Sequence, residues 1–172
     1  GCYDWTPDNR LRRVAYAYNQ QSQSGAQDPV SCVSLHDAQG YIDWLNTSVD
    51  GAHYRLPTEA EFEYVQARGI SISVRNFDDG TPTCDLRNGA DVRSQFPWRD
   101  LSCDDGFAGV APVASLAEDG FGLYDLSGNL WEWTGDCWTA THAETGGSAL
   151  DNCETGVVRG GSFDDPTDNF HP

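Results

Sequence analysis

At 172 residues the chain suits one domain, long enough to bury roughly two-thirds of the surface its unfolded form would expose. A hydrophobic fraction of 38%, with 12% aromatics and 18 glycines, describes an ordered protein rich in irregular structure rather than a disordered one. All ten basic side chains are Arg against 27 acids, and the net charge of −17 argues against nucleic acid and anionic membrane as partners. No run approaches the roughly 20 apolar residues that span a bilayer, so no membrane insertion is expected, and the opening GCYDWTPDNR lacks a signal-peptide pattern. The absence of Lys and the preference for Asp fit salty surroundings that screen self-repulsion. An acidic surface with some carboxylates on divalent cations accounts for them equally well.

Taken in chain order, the helix signals lie in the first half. VSLHDAQGYIDWLNTS offers Ser34 as N-cap, Asp37 in the first turn, and Ala38, Tyr41, Ile42 and Leu45 at helical spacing. PTEAEFEYVQARG offers Thr58 as cap, with Glu61 in capping-box position and Gly69 as the expected stop; Phe62 and Val65, with Ala60 and Tyr64 beside them, are the expected inward face. From Ser71 onward short apolar pieces alternate with Gly, Asp, Asn and Pro, which predicts short strands and long loops. No Gly-rich phosphate loop precedes a helix, which disfavours a nucleotide-binding fold.

The cysteines at 2, 32, 84, 103, 137 and 153 form an even set without CxxC, which reads as a disulfide framework in an oxidising compartment. Proximity and the loops they bracket favour Cys137 with Cys153, Cys84 with Cys103, and Cys2 with Cys32, among the 15 pairings that six cysteines allow. The alternative for Cys32, inside the apolar run PVSCVSL, is a buried free thiol.

The block DGFGLYDLSGNLWEWTGD (119 to 136) has neither helical nor strand period, so its polar groups need another organiser. A hard cation would serve: Asp125 and Glu132 supply side-chain oxygens, with the carbonyls of Gly128 and Leu130 between them. The plainer alternative is a Trp-anchored core turn whose acids face water.

Three ordered blocks, HYRLPTEAEFEYVQARG (53 to 69), GFGLYDLSGNLWEWTGD (120 to 136) and VVRGGSFDD (157 to 165), resemble the sulfatase-modifying-factor, or formylglycine-generating-enzyme, domain family. The lead-in PVSCVSLHDAQGYIDWLN is also similar to the family's helix before the first block, so the resemblance covers about residues 29 to 165. It implies an α+β, C-type-lectin-like fold with two helices, short antiparallel strands and much irregular, calcium-stabilised structure. The whole of 1–172 is then a single domain, expected to lack part of the family's N- and C-terminal strands.

Two calcium sites follow from the resemblance. One falls on Asp125, Gly128, Leu130 and Glu132; the other on Asp91 and the carbonyl of Val92, with Asp105 and the carbonyl of Phe107. Asp91 stands where the family often has Asn, which keeps an oxygen ligand and adds charge.

The copper(I)-binding Cys pair of formylglycine-generating enzymes falls, by the same resemblance, on Asp165 and Phe170, and no Cys follows Cys153, so no copper is expected. His36, His53, His142 and His171 show no ligand spacing. Arg55 with Glu59, Glu61 and Glu63 is read as helix capping plus one Arg–carboxylate pair, and Arg159 as a residue that fixes its loop. Trp131 and Trp133 belong to the structural block, while Trp98 and Trp138 are freer; a ligand face is expected near Trp138, His142, Asp164 and Asp165.

The favoured expectation is a calcium-bound, non-catalytic recognition or assembly module of a periplasmic or extracellular protein, with a protein or glycan partner or self-assembly. The alternatives are a copper- and oxygen-dependent oxidase of the formylglycine-generating type and a lectin-like, diversified ligand-binding protein.

Overall fold

The computed structural model describes residues 2–5, 11–14, 26–75, 83–139, 155–166 and 170. The chain divides into two compact units, residues 1–55 and 56–172. No helix among the described residues is long and apolar enough to cross a membrane. With two helices and small antiparallel sheets, the fold is α+β.

The first unit holds the antiparallel pair β1 (Cys2–Trp5) and β2 (Leu11–Val14), then α1 (Leu35–Ser48). Helix α1 begins where the sequence reading put it. Ser34 and Asp37 form a reciprocal capping box, in which the Asp37 N–H donates to Ser34 Oγ at 3.2 Å and the Ser34 N–H to Asp37 Oδ2 at 2.8 Å. These bonds hold the Asp37 carboxyl below its ordinary value of 3.8. Of the expected face only Ile42 is buried; Tyr41 is 59% exposed and stacks on Trp44 at 5.6 Å. After the helix, Asn46 pins the returning chain by exchanging two hydrogen bonds with the backbone of Tyr54, at 2.6 and 2.9 Å.

In the second unit α2 (Glu59–Arg75) opens with the capping box expected at Thr58 and Glu61. A buried carboxylate adds to it: the Glu59 N–H donates to Asp136 Oδ2 at 2.5 Å, satisfying a first-turn amide with a negative charge at the positive end of the helix. Two expectations for α2 need correcting: the inward face, which holds at Phe62 but not at Ala60 and Tyr64, and the stop at Gly69. Its buried residues include Phe62 and Gln66, whereas Ala60 and Tyr64 are exposed, because Gln66 finds partners in the Leu126 carbonyl (2.9 Å) and Ser127 Oγ (3.2 Å). The helix also runs through Gly69. That glycine serves a close approach rather than a stop, since a Cβ there would lie 2.2 Å from Asp119 Oδ2.

Strands β3 (Glu132–Cys137) and β4 (Gly156–Arg159) pair antiparallel, Glu132 opposite Arg159, with an irregularity between Trp133 and Cys137. A single 3-10 turn, Thr83–Leu86, precedes the long irregular stretch, where Cys84 and Cys103 form a disulfide. Cys32 and Cys137 are also disulfide-bonded, so the free-thiol alternative for Cys32 does not hold. Cys153 lies outside the described residues, as does the side chain of Cys2.

Buried amides take the place of ladders in the irregular half. Asn129 Oδ1 accepts the Ala111 N–H (2.9 Å) and Asn88 Nδ2 (3.1 Å), while its own Nδ2 donates to the Ala111 carbonyl at 3.2 Å. Asn88 Nδ2 also reaches the Gly109 carbonyl at 3.0 Å, and the Asn129 N–H donates to the Asn88 carbonyl at 2.8 Å. Gly128, at φ +87°, lets these segments meet, because a Cβ would lie 1.9 Å from the Asn88 carbonyl oxygen.

Asn129→Ala is expected to cost about 3 kcal/mol or more, as it orphans buried donors and an acceptor together, and Gly128→Ala at least as much through backbone that cannot yield. Urea denaturation of both variants checks this; a loss under about 1 kcal/mol in either would show that the segments meet by other means.

Candidate functional site

Four residues named for the first cation site, Asp125, Gly128, Leu130 and Glu132, occupy one left-handed turn and the start of β3. Asp125 (φ +60°), Gly128 (φ +87°) and Asn129 (φ +63°) all have positive φ, a sequence of conformations that no helix or strand contains. Asp125 Oδ2 accepts the Ala114 N–H at 2.9 Å, while Oδ1 is buried with no hydrogen-bond donor. Although Glu132 is an exposed residue, enough protein surrounds its carboxyl to strip hydration; with the charge of Asp125 adding to this, its pKa is pushed up to about 7. Two electrostatically coupled carboxylates and an orphaned buried oxygen have the donor chemistry that suits a hard cation.

Asp119 was missed by sequence reasoning. Its Oδ2 is likewise buried without a donor, and Asp119 and Asp125 border the same small cavity with Gln66, Leu123 and Ser127. The only sequence signal was its place at the head of the Gly- and Trp-rich block.

The second predicted set, Asp91, Val92, Asp105 and Phe107, is also brought together. Asp91 is 1% exposed; its Oδ1 accepts the Arg93 N–H (2.8 Å) and its Oδ2 the Asp105 N–H (2.6 Å). Asp105 in turn accepts the N–H groups of Phe107 (2.8 Å) and Gly89 (3.1 Å). Burial, with the charge of Asp91 against it, raises Asp105 to about 6 despite those bonds. A carboxylate pair held this way has lone pairs left for a cation. Among the described residues no three His, Cys, Asp or Glu side chains converge as metal ligands, so each set depends on carbonyls to complete it.

Asp165 and Phe170, the positions on which the sequence resemblance puts the copper-binding cysteines, are built differently. Asp165 Oδ2 accepts the Ser162 N–H at 2.9 Å and lies 2.8 Å from Ser162 Oγ, which is also 2.5 Å from Asp164 Oδ1. The Asp165 carbonyl accepts the Ala90 N–H at 2.9 Å. Phe170 is 1% exposed, its ring laid over two glycines: a Cβ on Gly89 or Gly161 would lie 2.6 or 2.5 Å from ring carbons. A bonded carboxylate and a sealed phenyl ring do not fit copper(I), which needs soft thiolates.

Trp98, expected to be freer than Trp131 and Trp133, is held. It stacks on Phe96 at 5.2 Å and its indole N–H donates to the Asp164 carbonyl at 2.8 Å. Trp138 is 63% exposed, and His142, the remaining member of the expected ligand face, lies outside the described residues. Arg159 meets both Glu59 and Glu63, at 3.1 Å from Glu63 and in direct ion pair with Glu59, which fits a loop-fixing role.

A match to the sulfatase-modifying factor enzyme 1-like domain spans residues 2–172. The chain belongs to that family. It is 37% identical over 147 residues to the formylglycine-generating enzyme of Thermomonospora curvata, covering 78% of this chain and 44% of that one. The formylglycine-generating enzyme of Mus musculus is 36% identical over 115 residues (67% of this chain, 29% of that one). The inactive C-alpha-formylglycine-generating enzyme 2 of Bos taurus is 33% identical over 141 residues (81% and 40%). This domain therefore spans less than half the length of these curated relatives. Among solved structures, PvdO from Pseudomonas aeruginosa matches with TM-score 0.63 at 30% identity, over 84% of this chain and 54% of that one. CarF, at 24% identity and TM-score 0.53, shares the fold.

Two measurements test this construction. Phe170→Ala should cost about 3–5 kcal/mol, since the ring is fully buried and the glycines cannot refill its space; a change below about 1 kcal/mol in chemical denaturation would show that the ring is not packed. The metal-free protein should lose stability as pH rises. Asp105 and Glu132 are raised from ordinary values of 3.8 and 4.5 to about 6 and about 7, so the folded state holds more protons, and their contribution, complete below the ordinary values, is gone once pH exceeds about 7. Urea midpoints in chelator should therefore fall across that interval, and less steeply in Glu132→Gln; a rise would contradict the placement of both carboxyls.

Proposed function

We propose that this domain is a calcium-binding, non-catalytic sulfatase-modifying-factor-type module of an exported protein, serving recognition or assembly. The observation that carries the reading is the sealed ring of Phe170 beside the serine-bound Asp165, in the places where the family resemblance puts a copper-binding cysteine pair. A relative named as inactive, at 33% identity, is a precedent within the family for loss of the reaction.

Asp125 and Glu132, with the carbonyls of Gly128 and Leu130, would hold one calcium; Asp91 and Asp105, with the carbonyls of Val92 and Phe107, would hold the other. The cation's part is to neutralise carboxylates that burial and mutual repulsion otherwise drive toward protonation. The disulfides support a periplasmic or extracellular setting, where such bonds persist. Scarce regular structure and a lectin-like frame suit surface recognition of a protein or glycan, or self-assembly, and the net charge of −17 disfavours nucleic acid.

The named formylglycine-generating relatives favour a second reading, a copper- and oxygen-dependent oxidase. It requires two thiolates, and Cys32, Cys84, Cys103 and Cys137 are each in a disulfide.

Oxygen uptake in the presence of copper(I) and a cysteine-containing peptide separates the two. None is expected, and turnover would establish the oxidase. Chelator should lower the melting temperature, since a ligand held at about a hundred times its Kd stabilises the fold by roughly 2.7 kcal/mol; Asp125→Asn with Glu132→Gln should shrink that response, and an unchanged wild-type melt would remove calcium from the proposal.

A further inference from the structure

The stretches 88–92 and 103–107, which build the second carboxylate pair, are tied together by the Cys84–Cys103 disulfide. Its α-carbons lie 5.6 Å apart across 19 residues of sequence, and the two cysteines are 8% and 7% exposed. The bond sits beside the pair on both stretches. The Cys103 carbonyl accepts the Val92 N–H at 3.3 Å, next to Asp91, and Asp105 follows shortly after Cys103. On the other side the Cys84 carbonyl accepts the Arg87 N–H at 3.2 Å, leading to Gly89, whose N–H donates to Asp105 Oδ2 at 3.1 Å. Hydrogen bonds between the stretches include Asp105 N–H to Asp91 Oδ2 (2.6 Å), and within the closed loop Asp100 N–H donates to the Ala90 carbonyl (2.8 Å). Against them works the repulsion of two like charges with reduced hydration.

We propose that the Cys84–Cys103 disulfide is a redox latch on the cation site of Asp91 and Asp105: closed, it keeps the two carboxylate-bearing stretches together so that a divalent cation binds, and once it is reduced the stretches part and the cation leaves. This rests on the calcium reading of that pair. In the opening step a thiolate of a dithiol reductant attacks one sulfur, the S–S bond breaks, and the mixed disulfide is resolved by the reductant's second thiol. Cys84 and Cys103 gain two electrons and two protons between them, and the dithiol leaves as its disulfide. Because both cysteines are buried, attack requires the loop to open first, and a cation bridging Asp91 and Asp105 opposes that opening. The coupling is reciprocal: the bond favours the cation and the cation shields the bond. Asp125 and Glu132 lie outside the closed loop.

Calcium titration calorimetry on chelator-stripped protein provides the test, in an Asp125→Asn/Glu132→Gln background that leaves only the second pair. Adding Cys84→Ser/Cys103→Ser should weaken calcium binding by roughly ten- to hundredfold, the scale expected when the support of a ligand shell is removed. Equal affinity with and without the disulfide overturns the latch. No calcium binding with the disulfide intact overturns the calcium reading of this pair instead, and the latch with it. A second measurement uses the unsubstituted chain: release of the Cys84 and Cys103 thiols by dithiothreitol, followed by alkylation and peptide mapping, with Cys32 as the reference. Calcium should slow release at Cys84 and Cys103 severalfold relative to chelator and leave the reference unchanged. Identical rates at Cys84 and Cys103 sink the proposal even if the substituted proteins fail to fold.

Discussion

The second unit depends on two buried side-chain amides. Asn88 and Asn129 are 0% and 3% exposed, and through them the segments around 88, 110 and 129 share hydrogen bonds that a sheet would otherwise supply. The Gly128 N–H donates to the Gly160 carbonyl at 2.8 Å and the Phe163 N–H to the Asn129 carbonyl at 3.0 Å, so the segment after β4 joins the same hub. A chain with so few ladders must satisfy its buried backbone somehow, and short amides can do so in any direction. The requirement is close approach, which Gly128 permits.

From this hub the carboxylates take their places. Asp125 is carried on the turn that leads into Gly128 and Asn129, and Asp91 on the segment that follows Asn88, so both carboxylate pairs hang from the same amide network. Asp136 is used differently: buried in β3, it terminates the start of α2, and the ion pairs of Arg159 with Glu59 and Glu63 bind β4 to that helix. An acidic protein thus uses some of its carboxylates on helix ends and arginines, where the partner is an internal charge or dipole, and leaves two pairs that the proposed calcium ions would neutralise.

The segment after β4 is held by packing and by hydrogen bonds to distant backbone. Ser162, Asp165 and Ala90 lock its turn to the backbone near Asn88, and Phe170 lies over Gly89 and Gly161. Trp98 reinforces the turn through the Asp164 carbonyl. The region adjoins the Asp91–Asp105 pair, so ordering of the turn and ordering of that carboxylate pair share the stretch from Asn88 to Asp91.

Local chemistry was legible in the sequence. The capping residues Ser34 and Thr58 with Asp37 and Glu61 act within one turn of chain, so their spacing sufficed to place both helix starts. The ordered motif blocks sufficed for the family. What the tertiary structure alone decided were contacts between residues distant in sequence. Gly69 looked like a stop because glycine is a poor helix former, yet α2 continues through it because Asp119 packs where a side chain would be. Gln66 is buried in place of Tyr64 because Leu126 and Ser127 satisfy it, and Arg159 meets Glu59 because β4 returns beside α2. Trp98 is held by a carbonyl far along the chain, and Phe170 fits because two glycines from separate segments face it. Spacing reports which residues share a turn or a face, but only the folded chain brings distant donors, carboxylates and glycines into register.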